Sequence, residues 1–205
     1  MPFDHNDHYH RLLLRHVPAG SRRALDVGCG TGAFARLLAE EGIATDAVDA
    51  SEEAIEAAVA ASPQAAEGGP RFRHEDIARV QLPPEHYDFI ACLASVHHMP
   101  FETVAALRDA LAPGGTLVVL ACYRPRSAVD HAWSLAAVPV NAAVRAAVAL
   151  RERATGTAPA ADRVRPPVAQ PGMTLAEIRR ETERLLPGSS VRRLLFWRCL
   201  LVHRA

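Results

Sequence analysis

The chain contains no lysine: all 23 of its basic residues are arginine. That absence excludes a phosphate-loop lysine, a Schiff-base lysine and an internal pyridoxal aldimine, because each needs an ε-amino group. Cysteine is sparse, and Cys29, Cys92, Cys122 and Cys199 show neither metal-ligand nor disulfide spacing, which fits a reducing, cytoplasmic setting. Aromatics make up 5% of the residues and do not interleave with the arginines, so no stacking platform for nucleic acid is evident. The segment 132–150 has few charges but contains Pro139, Asn141 and Arg145, too weakly apolar a run for a membrane span. Met1-Pro2-Phe3-Asp4 lacks the basic, apolar start of a secretory leader. His5 and His8 have no convincing third ligand, so no metal site is expected.

What remains describes an ordinary globular protein: 205 residues, 49% hydrophobic, 22% charged, with a formal net charge of zero. At that length one domain spanning 1–205 is the expectation. The charge is uneven, with 5 Arg against 10 acids in residues 1–60 and 11 Arg against 5 acids in 151–205. Such runs usually mark solvated helix and strand edges.

The most informative stretch is Asp26-Val27-Gly28-Cys29-Gly30-Thr31-Gly32, between an apolar run and an amphipathic segment. Glycines at alternate positions between a strand and a helix let the backbone turn sharply and approach a ligand closely. Two cofactors fit. Read as Gly28-x-Gly30-x-x-Ala33, with Asp49 lying 21 residues after Gly28, the loop matches a loose dinucleotide fingerprint. Read with Asp26, it favours a guest carrying an ammonium, since a pyrophosphate prefers a helix N-terminus free of nearby acids.

Along the chain, a helix over Asp4–Val17 is followed by alternating strands and helices. Strands are expected at Ala24–Val27, Ala44–Val48, Arg71–His74, Tyr87–Leu93 and Thr116–Ala121, with helices at Gly32–Glu41, after the cap Ser51, and at Phe101–Leu111. The near-continuous apolar run Tyr87–Leu93 reads as a strand buried on both faces. Alternation of this kind predicts a doubly wound α/β sheet with right-handed crossovers. It stops at residue 122. Residues 122–172 read as an insertion, helical and Ala-rich over Ser127–Arg153, placed where ligands bind. A helix at Leu175–Leu186 and two tightly joined strands, Val191–Phe196 and Arg198–His203, close the chain.

In this order the signals resemble the class I S-adenosylmethionine-dependent methyltransferases, over roughly residues 22–121 plus the final strand pair. Asp26–Gly32 resembles the family's first motif and Val48-Asp49-Ala50-Ser51 its second. Glu75-Asp76-Ile77 resembles the acid after the third strand. Tyr87–Ile90 running into Ser95-Val96-His97-His98 resembles the fourth motif, and Leu111–Thr116 the turn before the fifth strand. The resemblance implies a Rossmann-like seven-stranded sheet of order 3-2-1-4-5-7-6, its last strand antiparallel, with helices on both faces. It implies S-adenosylmethionine (product S-adenosylhomocysteine) as cofactor, held by Asp26, Gly28, Cys29, Gly30, Thr31, Gly32, Asp49, Ala50, Asp76, Ile77 and Leu93. In that picture Asp49 takes the ribose diol, while Asp76 takes the adenine amino group and Ile77 packs the ring.

It also implies that residues 1–20 form a lid carrying Tyr9, and that His98 is the first choice for a base, with Tyr9 as second catalytic candidate. The acceptor would meet His97, Tyr123, Arg124 and Trp133. The Asp/Asn-Pro-Pro-aromatic signature of base amino methylation is missing, with Leu93-Ala94-Ser95-Val96 in its place, and no paired metal-binding carboxylates are present. A small organic acceptor is left, such as a natural-product or indole-type aromatic, methylated on carbon, oxygen or nitrogen. No nucleic-acid or membrane partner is expected, and a homodimer is left open. The alternatives are a nicotinamide oxidoreductase and a non-catalytic partner subunit on the methyltransferase fold.

Overall fold

The structure, a computed structural model, describes residues 7–62, 68–127, 129–130, 133, 170–195 and 197–205. Its elements run α1 (Asp7–Leu14), β1 (Arg23–Val27), α2 (Ala33–Glu40), β2 (Ala44–Asp49), α3 (Glu52–Ala61), β3 (Arg71–His74) and β4 (Tyr87–Leu93). A 3₁₀ turn (Val96–His98), α4 (Thr103–Asp109), β5 (Leu111–Cys122), α5 (Leu175–Leu185), β6 (Ser190–Arg193) and β7 (Arg198–Arg204) follow. The strands form one seven-stranded sheet of order β3-β2-β1-β4-β5-β7-β6. β1 to β5 pair in parallel, and β7 pairs antiparallel with both β5 and β6. This is the order expected from the sequence.

Strand side chains alternate between faces, and the two cores follow that period. Ile90 and Cys92 of β4 join Leu117 and Val119 of β5 on one face, beneath Val104 and Leu107 of α4 and Ile178 of α5. Phe89 and Ala91 join Val118 and Leu120 on the other, beneath Leu13 of α1 and Phe34 and Leu38 of α2. With both faces covered, the central strands need no polar side, which is why Tyr87–Leu93 and Leu117–Ala121 read as apolar runs.

Several boundaries differ from the expectation. β5 begins at Leu111 rather than Thr116, because Tyr87 pairs with Leu111 before an irregularity shifts the register to Phe89 and Thr116. The preceding helix is shortened to match, ending at Asp109. Ser51 caps α3 as expected, its hydroxyl accepting from the Ala54 amide at 3.2 Å. At α5 a reciprocal capping box forms: Thr174 Oγ1 accepts from the Glu177 amide at 3.3 Å, and Glu177 accepts from the Thr174 amide at 2.7 Å. Asp4, Phe196 and nearly all of the expected Ser127–Arg153 helix lie outside the described residues.

Candidate active site

The first-motif loop is bent by backbone conformation and locked from both sides. Gly28 and Gly32 take φ values of 67° and 73°, in the left-handed region that side chains with a Cβ avoid. Both also lack room: a Cβ on Gly28 would collide with the Ser95 side chain, and one on Gly32 with the Phe72 ring. The Gly28 and Cys29 amides both donate to the Val48 carbonyl, at 2.8 and 3.0 Å. The Gly30 amide donates to Asp49 Oδ2 at 2.8 Å, while Asp49 Oδ1 accepts from the Ser51 amide at 2.9 Å. On the other side Ser95 Oγ donates to the Val27 carbonyl at 2.8 Å. Ser95 thus seats the turn after β4 against the loop after β1, a role that no local sequence pattern signals.

Asp26 lies beneath this loop, 1% exposed, and neither of its carboxylate oxygens has a hydrogen-bond partner among the described residues. Burial, reinforced by the nearby Asp49 charge, raises its pKa to about 7; the Ala35 amide pulls it partway back without meeting hydrogen-bond geometry. Burial and the same two carboxylates push the Cys29 thiol well above its usual range, so Cys29 supplies no nucleophile.

A cleft of about 1020 Å³ runs along the carboxyl edge of the sheet. Crevices at this edge are where open α/β folds bind ligands. Gly28, Asp49, Ala50, Asp76 and Ile77 line it toward β2 and β3, Leu93, His97 and His98 line it beside the central β4, and Tyr123 lines it toward β7. Asp76 already accepts from the Ala78 amide at 3.1 Å and pairs with Arg79 at 3.2 Å. The His97 and His98 rings lie 4.1 Å apart at 41°. His98 is exposed, whereas His97 Nδ1 is buried with no hydrogen-bond partner among the described residues. Burial first, then His98 and Arg198, lower the His97 pKa to about 4, so this imidazole is neutral at pH 7.

Other expected site residues stand elsewhere. Cys29, Gly30, Thr31 and Gly32 shape the loop and are not among the described lining residues. Tyr9 is packed in the core, 6% exposed, and its hydroxyl donates to the Leu195 carbonyl at 3.0 Å. Tyr9 is not among the described lining residues, though its hydroxyl feels the charge of Arg198, which is. Trp133 is 43% exposed and its indole donates to the Leu194 carbonyl at 3.2 Å, on the side of the β6–β7 connection. Arg124 is exposed and its amide donates to the Met173 carbonyl at 2.8 Å. Neither lines the cleft. Met99, Trp197 and Arg198 do, and sequence reading missed all three.

The stretch 25–119 matches the family model described as a methyltransferase domain. Over its whole length the chain is 34% identical to an uncharacterized methyltransferase of Mycobacterium tuberculosis (strain ATCC 25618 / H37Rv), covering 98% of that protein. The chain belongs to the class I S-adenosylmethionine-dependent methyltransferases. This methyltransferase is also 34% identical to a ubiquinone biosynthesis O-methyltransferase of Xylella fastidiosa (strain 9a5c), over 57% of its own length and 48% of that enzyme's. Its fold superposes on the crystal structure of magnesium protoporphyrin IX methyltransferase from Synechocystis PCC 6803 with a TM-score of 0.59. That match has 18% identity and covers 97% of this chain and 77% of the other.

The methyltransferase uses S-adenosylmethionine as cofactor, and the described residues fit it. A buried carboxylate with no hydrogen-bond partner among the described residues stands beneath a glycine loop, and acids end β2 and follow β3. No group of three or more metal-ligating side chains occurs among the described residues. Among them, too, no helix is long and apolar enough to cross a membrane.

Proposed function

We propose that this methyltransferase methylates a small, partly apolar organic acceptor, a natural-product or aromatic metabolite, bound in the half of the cleft beyond β4. The observation that carries this reading is the extent of the cleft. Ligand clefts hold roughly 300–1,000 Å³, and this one, at about 1020 Å³, continues past the cofactor residues to Met99, Tyr123 and Trp197. Donor and acceptor can lie end to end along the sheet edge. The cofactor, when bound, supplies a methyl group already activated on a sulfonium. The chain's own work is then to position, to exclude water and to take a proton where the acceptor releases one.

In this reading Asp49 and Asp76 hold the ribose and the adenine with their remaining lone pairs, and Ile77 packs the ring. Asp26 sets a negative potential beneath the aminoacyl end. His98 is the proton acceptor: it is exposed and lines the cleft, with the neutral His97 ring 4.1 Å away. The region 122–172 is read as acceptor-side cover and the chain as one domain.

Incubation with methyl-labelled S-adenosylmethionine and fractionated extracts of the source organism tests the acceptor class. Label is expected in small molecules; label confined to protein or RNA fractions refutes the reading. His98→Ala should lower turnover by about 10²–10⁴-fold with cofactor affinity unchanged. A loss below tenfold reassigns His98 to orientation.

A further inference from the structure

β7 runs antiparallel to β5, so its first residue, rather than its last, reaches the carboxyl edge of the sheet. Arg198 pairs in register with Cys122, the final residue of β5. The preceding Trp197 takes φ 56°, a conformation rare for a bulky side chain, and its carbonyl accepts from the Tyr123 amide at 3.2 Å. This turn delivers both residues to the cleft, where Trp197 is 44% exposed.

The charges lining the cleft are divided along its length. β1, β4 and β5 separate β2 from β7, four strand spacings or about 19 Å in all. Asp49, Glu75 and Asp76 lie at the β2–β3 end, and Arg198 at the β7 end is the one Arg or Lys among the described lining residues. Its field reaches His97, beside β4, in the middle of that span. Arg198 pairs in register with Cys122, and the lining also includes the apolar side chains of Met99, Pro125, Pro171 and Trp197. A guanidinium in such a lining attracts an anion more strongly than one in open water. Its planar fork also matches carboxylate and phosphate oxygens in pairs.

Resting on the small-molecule reading above, we propose that the acceptor carries an oxyanion, a carboxylate or a phosphate, which the Arg198 guanidinium binds while Trp197 and Met99 cover its apolar body. Anchoring the anion at β7 lays the rest of the acceptor across β5 and β4, toward the histidine pair. Neutral and cationic analogues lose that anchor. The acids at the other end of the cleft repel an anion, which fixes the direction in which the acceptor lies.

The test separates small molecules from the source organism by ion exchange into acidic, neutral and basic pools before incubation with the full chain and methyl-labelled S-adenosylmethionine. Label is expected from the acidic pool. Phosphatase pretreatment abolishes that labelling if the group is a phosphate and spares it if it is a carboxylate. Arg198→Gln should raise the KM for the acidic pool at least tenfold, the scale of a lost charge-assisted contact, with Arg198→Lys intermediate. S-adenosylhomocysteine affinity, read by calorimetry, should stay unchanged and report that both variants fold. Label arising only from the neutral or basic pool overturns this proposal and leaves the small-molecule reading standing. So does an Arg198→Gln variant with wild-type KM. Label from no pool overturns both.

Discussion

The Asp49 carboxylate accepts a hydrogen bond from the Gly30 amide at 2.8 Å, tying the end of β2 to the middle of the cofactor loop. Its other oxygen accepts from the Ser51 amide at the start of α3. The residue assigned to the ribose is therefore also a brace, and the two duties separate experimentally. Asp49→Ala is expected to weaken S-adenosylhomocysteine binding by about 1.5–3 kcal/mol, the scale for hydrogen bonds to a charged group. It should also lower the urea midpoint, because two loop amides lose their acceptor. Calorimetry and a denaturation curve check the two effects. Wild-type cofactor affinity in this variant would remove Asp49 from the binding site.

Asp26 should couple cofactor binding to proton release. Its folded-state pKa is raised to about 7 from the ordinary 3.8, so the stability it contributes is fully present below about pH 4 and lost as pH rises through about 7. A bound ammonium favours the ionised form, so affinity should rise with pH across that range. Calorimetry in two buffers of different ionisation enthalpy near pH 6.5 should show protons released on binding. Asp26→Asn is expected to raise Tm at pH 8 while weakening the cofactor. No proton release, together with unchanged affinity in the variant, counts against this role.

Tyr9→Phe distinguishes an anchor from a lid. The hydroxyl donates to the Leu195 carbonyl, 186 positions along the chain, and its loss should cost about 0.5–1.5 kcal/mol of stability. Cofactor affinity should change less than twofold. A large fall in affinity without loss of stability would return Tyr9 to the site.

Asp130 ties the segment after β5 to β6. Against the cost of burial, hydrogen bonds from the Arg126 and Ser127 amides and the Arg193 guanidinium, 2.7 Å away, hold its pKa at about 2. A depressed carboxylate stabilises above its unfolded pKa, near 3.8, and that contribution is lost as pH falls through about 2. Asp130→Asn is expected to destabilise by about 1–3 kcal/mol at pH 7. The gap from wild type should shrink when unfolding is followed down to pH 2. A pH-independent gap would assign the effect to packing instead.

The local pattern of the sequence decided the sheet and one wall of the cleft. Alternating βα periodicity, the two-faced apolar run Tyr87–Leu93 and the loop glycines are short-range properties, set by side-chain period and turn chemistry within a few residues. They place Asp49 and Asp76 just where β2 and β3 end, whatever the rest of the chain does. The other wall was decided by tertiary structure. Ser95 meets Gly28 because β1 and β4 are neighbours in the sheet, 68 residues separating Ser95 from the Val27 carbonyl it binds. Tyr9 sits in a core because α1 packs on the face that β5 and β7 share, and no periodicity within α1 reveals that partner. Trp133, an aromatic within an apolar stretch, reads as an acceptor contact, yet its indole turns to the Leu194 carbonyl. Arg198 and Trp197 reach the cleft only because β7 reverses direction, turning the start of a strand into the edge where ligands bind. A single sequence carries period and turn signals directly, but the register of strands 76 positions apart, such as Cys122 and Arg198, is fixed only when both are packed.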